Sequence, residues 1–399
     1  MTAPIATSPP SAPTAREIRD DAAGTGRSSR SAPDRPAVER LTAAAYRIPT
    51  DQPESDGTYA WDATTLVVVE LEAGGVHGLG YSYADAAAVA VAVNDLAPVV
   101  VGRDALDIPG AWAAMVGAVR NVGRGGIAAT AISAVDVALW DLKARLLDAA
   151  LIDLLGAARP AIPAYGSGGF CSYDDRTLAD QLGGWADAGF RFVKMKVGRE
   201  PERDPHRVGV ARDAIGDDVE LFVDANGAHD RSGALRAAAI FGEDDVRWFE
   251  EPVTSDDLVG LRLLRDRAPA GMAIAAGEYG WDVFAFRALL ESGAVDVLQA
   301  DATRCLGITG FLAAAALCEA HNTPLSAHCA PSLHVPLACA TRRSVHIEWF
   351  HDHDRIEHLL FDGAPDVRHG LVAPDRTRPG LGLELRRSDA ARFLVRGTP

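Results

Sequence analysis

Two lysines in one short stretch, FVKMKVG at residues 192–198, stand out in a chain that otherwise avoids lysine. Lysine and arginine together number 39, and only Lys143, Lys194 and Lys196 are lysines. Residues two apart in a strand leave the same face, so Lys194 and Lys196 are expected side by side. Two nearby ammonium groups repel, so we expect the pKa of at least one to fall and to supply a neutral amine that can take a proton. The alternatives are a solvent-exposed pair on an edge strand and codon bias that spared two lysines by chance.

Three acidic residues end apolar runs at a matching position: Asp224 in FVDAN, Glu250 in WFEEP and Glu278 in AAGEY. If these runs are neighbouring parallel strands, the three carboxylates converge. Oxygen donors without Cys or His suit a hard cation such as Mg²⁺, with Mn²⁺ as a substitute. One such residue alone would more often be solvated or cap a helix. Asn226 and Glu251 lie close enough to support the ligands or to make ordinary loop hydrogen bonds.

An acid/base pair is indicated further along the chain. Asp301 ends VDVLQAD, and His328 lies in LSAHC one strand unit later. A carboxylate on an adjacent strand can orient an imidazole and stabilise its charged form. A lone histidine is usually structural, but the Asp and the opposed lysines favour a catalytic role. Glu348, in VHIEWF, is expected at the same end of the eighth strand and could hydrogen-bond a substrate carboxylate or oxyanion.

The stretch FHDHD, directly after that strand, contains ligand-type residues with three alternative roles. His351 and His353 are expected near the mouth of the site, where they could contact a polyol tail of a substrate. With Asp352 and Asp354 they could also form a second metal site. Capping of a loop is the more common role for such residues.

The elements that must position these residues are short apolar runs that alternate with Ala- and Leu-rich helical stretches. Most successive runs end 20 to 28 residues apart, about one β-loop-α-loop unit each. Eight parallel strands close most naturally into a (β/α) barrel, whose active site lies at the carboxyl ends of the strands. The runs are AIPAYGSG, FRFVKMKV, ELFVDANG, VRWFEEP, MAIAAGEY, VDVLQAD, TPLSAHC and VHIEWF.

The N-terminal part of the chain has a different organisation. Residues 1–36 are rich in Ala, Ser, Pro and Arg and are predicted to be a disordered tail. Thr65–Glu72 and Val76–Tyr83, joined by Gly-Gly, predict a β-hairpin. A helix with an apolar stripe follows in AISAVDVALWDLKARL, and this α+β domain ends near Gly156. We therefore divide the chain into a tail at 1–36, a capping domain at 37–158, a barrel at 159–358 and a C-terminal segment at 359–399.

Composition excludes several classes of protein. The formal net charge of −16 argues against binding nucleic acid or an anionic membrane through bulk charge. The five cysteines form no CxxC pair, so neither a disulfide framework nor a zinc ribbon is indicated, and a cytoplasmic location is expected. The N-terminus has no secretory signal pattern, and the most apolar run, Ala86–Val101, falls short of a membrane span.

The order KMK, VDAN, EEP, GE, QAD, SAH and IEWF, with the upstream AISAVDVALWDLKAR helix, resembles the mandelate racemase subgroup of the enolase superfamily over about residues 38–385. This resemblance implies an α/β fold: a (β/α)7β TIM-like barrel with an N-terminal α+β capping domain completed by the C-terminal tail. It implies substrate-selecting loops at Thr50–Trp61 and at Val76–Tyr83. Further residues expected to support the site or touch substrate are Asn226, Glu251, Arg304, Tyr59, Trp61 and His351.

The same resemblance assigns roles to the site residues. Mg²⁺ would be held by Asp224, Glu250 and Glu278. Lys196 would be the base on one face of the α-carbon, and His328, oriented by Asp301, the acid/base on the other. Lys194 and Glu348 would stabilise an enediolate.

The expected reaction is dehydration of an acid sugar to a 2-keto-3-deoxy acid, which makes the protein a lyase. Racemisation or epimerisation of a 2-hydroxy acid is the alternative, because reprotonation from the opposite face inverts the centre. Other possibilities are a non-catalytic sugar-acid-binding protein on the same scaffold and a zinc hydrolase using the histidines near 351, which lacks an HExxH pair. The expected partner is a small carboxylate substrate rather than nucleic acid or membrane, and a homo-oligomer is expected.

Overall fold

The computed structural model describes residues 35–398. The predicted tail at 1–36 therefore lies outside the described residues, apart from its last two. The strands are β1 (Arg40–Ser55), β2 (Ala60–Ala73), β3 (Val76–Tyr83), β4 (Ile162–Gly168), β5 (Phe192–Lys196), β6 (Glu220–Asp224), β7 (Val246–Glu250), β8 (Ala273–Ala276), β9 (Val297–Ala300), β10 (Leu325–Ala327), β11 (Ser344–Phe350), β12 (Phe361–Asp362), β13 (Leu371–Val372), β14 (Glu384–Leu385) and β15 (Leu394–Gly397).

The α-helices are mostly in the connections between these strands. They are α1 (Ala88–Val91), α2 (Ala97–Val100), α3 (Ile108–Ala118), α4 (Ile127–Leu146), α5 (Leu151–Leu155), α6 (Asp175–Asp187), α7 (Asp204–Ile215), α8 (Arg231–Phe241), α9 (Leu258–Arg267), α10 (Val283–Glu291), α11 (Gly307–His321), α12 (Pro331–Ala340), α13 (His351–Leu360) and α14 (Arg387–Ala390). A π-helical turn, Ala92–Leu96, joins α1 to α2. Within the described residues, no helix combines the length and apolar character needed to cross a bilayer.

Eight of the strands form the predicted barrel. Strands β4 to β11 pair in sequence order as parallel neighbours, and β11 pairs back with β4 to close the ring. Each of the eight apolar runs overlaps one of these strands over most of its length, so the predicted barrel is confirmed. The strands read as continuous apolar runs because both of their faces are buried.

The capping sheet has the antiparallel order β15-β1-β2-β3. The hairpin predicted between β2 and β3 is present, and Gly74 and Gly75 turn it with φ of 57° and 74°, values that glycine adopts without steric cost. The suggestion that Val76–Tyr83 is a loop is wrong, because it is the mostly buried strand β3. Thr50–Trp61 is also mainly strand, with its turn at residues 56–59 between β1 and β2.

Helix α4 joins the capping sheet to the barrel. The sequence predicts a single apolar stripe, but the helix is buried almost all round between Ala128 and Leu139. Its polar side chains explain how this is tolerated: Asp136 accepts hydrogen bonds from the backbone N and the hydroxyl of Thr309, on barrel helix α11. Asp141 accepts from the backbone N of Leu381, in the C-terminal segment. Buried carboxylates thus hold the cap to the rest of the chain.

The C-terminal segment returns to the cap, since β15 pairs with β1. The division at residues 37–158, 159–358 and 359–399 stays a prediction.

Candidate active site

The polar residues of the predicted site lie at the carboxyl ends of the barrel strands. Lys196, Asp224 and Glu250 are aligned on β5, β6 and β7, as the strand register pairs Lys196 with Asp224 and Asp224 with Glu250. Glu278 lies two residues after the end of β8, and Asp301 and His328 directly follow β9 and β10. The strands of Lys196 and His328 are three positions apart around the eight-stranded ring, across β4 and β11. The barrel therefore brings these side chains to one mouth from opposite sides.

Three carboxylates converge at this mouth. One oxygen from each of Asp224, Glu250 and Glu278 lies within 4.8 Å of the others, and all three side chains are buried. Burial and the neighbouring charge of Asp224 raise the pKa of Glu250 to about 8, against the opposing effect of Lys194. Such a concentration of buried carboxylate oxygens, without sulfur or nitrogen among the triad, fits Mg²⁺. The donor set therefore fits the cation expected from the sequence.

The two lysines are buried within this acidic cluster. Lys194 Nζ lies 2.7 Å from Glu250 Oε2 and 2.8 Å from Glu348 Oε1, and Lys196 Nζ lies 2.5 Å from Asp224 Oδ2. Burial alone lowers the pKa of each lysine, but the adjacent carboxylates outweigh both burial and the repulsion between the amines, and the pKa of each is raised. The expected fall of a lysine pKa is therefore wrong for this arrangement. Repulsion between the amines is weaker than attraction to carboxylates at hydrogen-bonding distance.

His328 bridges two carboxylates on the other side of the mouth. Its Nδ1 lies 2.9 Å from Asp301 Oδ2, and its Nε2 lies 3.0 Å from Glu278 Oε2. Burial opposes the charged imidazole, but the surrounding groups, Cys329, Glu278 and Glu348, raise the pKa of His328 well above its usual value. Burial likewise opposes ionisation of Asp301, yet the hydrogen bond and charge of His328 lower the pKa of Asp301 to about 2. His328 is therefore favoured in its protonated form and Asp301 in its ionised form.

Glu348 links the two sides of the mouth. It accepts hydrogen bonds from Ser167 Oγ at 2.6 Å and from the backbone N of Cys329 at 2.9 Å, besides its ion pair with Lys194. Burial opposes its ionisation, but the charges of Lys194 and His328 lower the pKa of Glu348. Ser167 and Cys329 were missed from the sequence. Their positions gave a signal, since Ser167 lies at the end of the first barrel strand and Cys329 directly follows His328.

Two further predicted residues contact the cluster, and a third, Glu251, is near enough to feel its charge. Lys196 Nζ donates to Asn226 Oδ1 at 3.1 Å. Arg304 Nη1 lies 3.2 Å from Glu278 Oε1. Glu251 is buried, and burial together with the nearby charge of Glu278 raises its pKa well above the usual value.

The turn of the β1–β2 hairpin rests on the barrel mouth. A Cβ on Gly57 would lie 2.4 Å from the carbonyl oxygen of Ala225 and 2.7 Å from that of Val197, just beyond the ends of β6 and β5. Only glycine allows so close an approach without displacing the turn. Nearby, Tyr59 stacks on Trp61, at a ring separation of 6.2 Å. The structure therefore places these two predicted substrate contacts on the hairpin beside the mouth.

Trp61 also hydrogen-bonds to a buried acidic residue, Glu54, that was not identified from the sequence. Its Nε1 donates to Glu54 Oε2 at 2.7 Å. Burial, with the nearby charges of Asp352 and Asp51, raises the pKa of Glu54 to about 8. Sequence position gave no signal for a buried acid, because Glu54 lies in a stretch expected to be a substrate-selecting loop.

The second metal site suggested for FHDHD, with two histidines and two aspartates of that stretch as ligands, is not present. His353 is buried, stacks on Tyr83 and accepts a hydrogen bond from the backbone N of Ala330. Asp352 is bound to Thr64 and Arg355. These side chains diverge because the stretch begins helix α13. His351 instead reaches across to Asp51, with its Nε2 2.9 Å from Oδ2.

Two glycines of the GSGGF stretch, residues 166–170, lie in close contact with a barrel helix. A Cβ on Gly166 would lie 2.4 Å from the ring of Trp185, and one on Gly168 would lie 2.4 Å from Gln181 Oε1. Both partners belong to helix α6. The glycines therefore allow that helix to pack against β4.

A capped barrel that places an acidic triad between a lysine and a histidine defines a class of metal-dependent acid–base enzymes. Residues 44–156 match the family described as mandelate racemase / muconate lactonizing enzyme, N-terminal domain, and residues 177–390 match that described as enolase C-terminal domain-like. The chain belongs to the mandelate racemase / muconate lactonizing enzyme family of the enolase superfamily.

Individual proteins agree with this assignment. A 3,6-anhydro-alpha-L-galactonate cycloisomerase of Streptomyces coelicolor is 36% identical over 359 residues, which are 88% of this chain and 98% of that protein. The L-talarate/galactarate dehydratase of Salmonella typhimurium is 32% identical over 317 residues, 77% of this chain and 79% of that protein. Its crystal structure with Mg and L-lyxarohydroxamate superimposes with a TM-score of 0.84 at 28% identity, over 94% of this chain and 97% of that one. A mandelate racemase/muconate lactonizing enzyme-like protein from Rubrobacter xylanophilus superimposes with a TM-score of 0.89 at 55% identity, over 90% of this chain and 100% of that one.

Proposed function

We propose that this protein is a Mg²⁺-dependent lyase that removes the proton α to a carboxylate and expels the β-oxygen, dehydrating an acid sugar to a 2-keto-3-deoxy acid. One observation carries the proposal. Lys196 and His328 lie against different members of the acidic triad, 2.5 Å from Asp224 and 3.0 Å from Glu278. A substrate bound at the triad would have a proton carrier on each face. A pure binding site has no need of two opposed proton carriers.

The cation would be held by Asp224, Glu250 and Glu278, whose oxygens already converge. When bound, Mg²⁺ would neutralise these carboxylates and polarise the carboxylate of the substrate, which stabilises the negative charge that develops there. The burial of all three side chains keeps water from competing with the substrate.

The side chains of the chain then divide the work. Lys196 is proposed to take the α-proton as a neutral amine, because a cation held by the triad would offset the Asp224 charge that raises the lysine pKa. The electron pair moves into the carboxylate to form an enediolate. Lys194 would donate to an enediolate oxygen, with Glu348 holding it in place at 2.8 Å. His328, oriented by Asp301, would give its proton to the β-hydroxyl, which departs as water while the electron pair forms the Cα–Cβ double bond. The resulting enol tautomerises to the 2-keto product.

The same chemistry has two other outcomes. If the β-oxygen belongs to a ring of the substrate, its expulsion opens the ring instead of releasing water, which is a cycloisomerisation. The cycloisomerase relative favours this second candidate. If His328 instead protonates the α-carbon, the centre inverts and the enzyme is a racemase or epimerase.

One experiment separates these outcomes. The protein is incubated with Mg²⁺ in D₂O and a panel of mono- and diacid sugars and anhydro acids, and 2-keto product and α-deuterium are followed together. Keto product from an open-chain acid supports dehydration, from an anhydro acid supports cycloisomerisation, and inversion with deuterium supports racemisation. Lys196→Ala and His328→Asn are expected to lose turnover while thermal stabilisation by Mg²⁺ is nearly unchanged. Full activity in either variant contradicts the role given to that residue.

The substrate, the location and the assembly of the protein complete the proposed function. The substrate is a small carboxylate, and we further propose that Tyr59, Trp61 and His351 contact its distal end, since they lie on or beside the hairpin over the mouth. Location in the cytoplasm and assembly as a homo-oligomer stay predictions. The net charge of −16 supports a small-molecule partner rather than nucleic acid or an anionic membrane.

A further inference from the structure

A second group of ligand-type side chains lies where the cap hairpin meets the end of the eighth barrel strand. Asp51 and Glu54 belong to β1, and His351 is the first residue of α13. One ligand-type atom from each of the three lies within 4.8 Å of the others. The group is distinct from the acidic triad, and its members come from parts of the chain about 300 residues apart.

Glu54 has the feature that points to a ligand. Its side chain is only 1% exposed, and while Oε2 accepts from Trp61, Oε1 has no hydrogen-bond partner within the described part of the chain. A buried carboxylate oxygen without a partner is unfavourable, and such groups usually bind an ion or an ordered water. Asp51 and His351 are partly exposed, at 43% and 25% of their side chains, so an ion can enter from solvent.

The local charge also favours a cation. Asp352 lies near Glu54 but is already bound to Arg355 and Thr64, so it adds negative charge without offering a free partner. Asp51 faces His351 at 2.9 Å. One imidazole with two carboxylates is a donor set for Zn²⁺, Mn²⁺, Co²⁺ or Ni²⁺, whereas Mg²⁺ prefers oxygen alone.

We propose that Asp51, Glu54 and His351 form a second cation site, for a divalent transition metal such as Zn²⁺, that fastens the cap hairpin to the barrel. Two of the ligands lie on the hairpin and the third follows the last barrel strand, so a bound ion links the two. The ion holds Gly57 and the rest of the turn against the barrel mouth. This site shares no residue with the acidic triad that would hold Mg²⁺.

The test is titration calorimetry of the full chain with Zn²⁺, in buffer with saturating Mg²⁺ to occupy the acidic triad. Wild type is expected to bind one more Zn²⁺ per chain than His351→Gln or Glu54→Gln, or to bind it at least about tenfold more tightly. Asp51→Asn is expected to weaken Zn²⁺ binding in the same way. Because Asp51 is partly exposed, this variant keeps the test valid if Glu54→Gln fails to fold. His206→Gln is the matched control, because His206 forms a surface pair with Asp175 at 2.7 Å. It is expected to bind Zn²⁺ as wild type does.

Hydrogen exchange gives a second readout that does not depend on activity. Zn²⁺ is expected to slow amide exchange in residues 50–61 of wild type and of His206→Gln, but not of His351→Gln. The proposal is overturned if wild type and His351→Gln bind the same number of Zn²⁺ ions with the same affinity. Asp51 and His351 would then be an ordinary ion pair.

Discussion

Replacing Asp301 by asparagine tests the acid/base pair most directly. Asp301 Oδ2 lies 2.9 Å from His328 Nδ1, and Oδ1 accepts from the backbone N of Thr303 at 2.7 Å. The side-chain oxygen of asparagine can keep the bond to Thr303, while its amide group faces His328. Because an amide donates there, the neutral imidazole must carry its proton on Nε2. Because Nδ1 must accept from the amide, His328 stays neutral, and its Nε2–H is a far weaker acid than the imidazolium that the proposed step uses.

The magnitude follows from the strength of the pair. Although burial opposes ionisation, the hydrogen bond and charge of His328 lower the pKa of Asp301 from 3.8 to about 2. That difference corresponds to about 2 to 3 kcal/mol of stabilisation of the charged pair. Loss of this stabilisation alone slows each step that uses His328 by about 10²-fold, and the wrong tautomer extends the loss to about 10⁴-fold.

The assay is 2-keto product formation from an acid sugar that wild type turns over, with α-deuterium exchange measured in parallel. If Lys196 takes the first proton, exchange through Lys196 survives in Asp301→Asn while product formation falls. Asp175→Asn is the control, because Asp175 forms a similar pair with His206 at the surface, and its activity is expected to be unchanged. Turnover of Asp301→Asn within a fewfold of wild type, with an unchanged pH profile, would refute the reasoning.

Four further outcomes are expected. Lys196→Arg keeps a positive charge but is expected to lose turnover as fully as Lys196→Ala, measured by keto product, because arginine does not release its proton. Gly57→Ala forces the turn away from two carbonyl oxygens that a Cβ would approach to 2.4 and 2.7 Å, and is expected to lower kcat/KM with little change in Tm. Burial raises the pKa of Asp136 from 3.8 to about 7, so the folded state keeps a proton that the unfolded state has lost. Its contribution to stability is lost as pH rises from about 4 to about 7, and urea unfolding of Asp136→Asn is expected to be less pH-dependent there. Mg²⁺ at 100 times its Kd is expected to stabilise wild type by about 2.7 kcal/mol, measured as a rise in Tm that Asp224→Asn lacks.

Matched variants control two of these expectations. Gly117→Ala adds a Cβ that meets nothing within 4 Å, so its kcat/KM is expected to equal that of wild type. An equal loss in Gly57→Ala and Gly117→Ala would contradict the role of the turn. Asp148→Asn changes a carboxylate in an exposed turn, and the pH dependence of its unfolding is expected to be that of wild type.

Much of the fold could be predicted because buried parallel strands leave a strong pattern. Each barrel strand is a short apolar run, and a polar residue at or near its end marks the face of the barrel that is predicted to be catalytic. The extent of burial of α4 was harder to predict, because Asp136 and Asp141 made one face read as polar. Only the packed structure supplies the partners that allow these carboxylates to be buried.

The sequence by itself determined the barrel, the family and the types and order of the site residues, since strand periodicity and residue spacing are local properties. The tertiary structure alone decided the pKa shifts and the partners. The lysine pKa values depend on carboxylates from other strands, with Asp224 2.5 Å from Lys196, and electrostatic effects fall steeply with distance. His351 could not be paired with Asp51 from sequence, because 300 residues separate them and only the closure of the hairpin over the barrel brings them into contact.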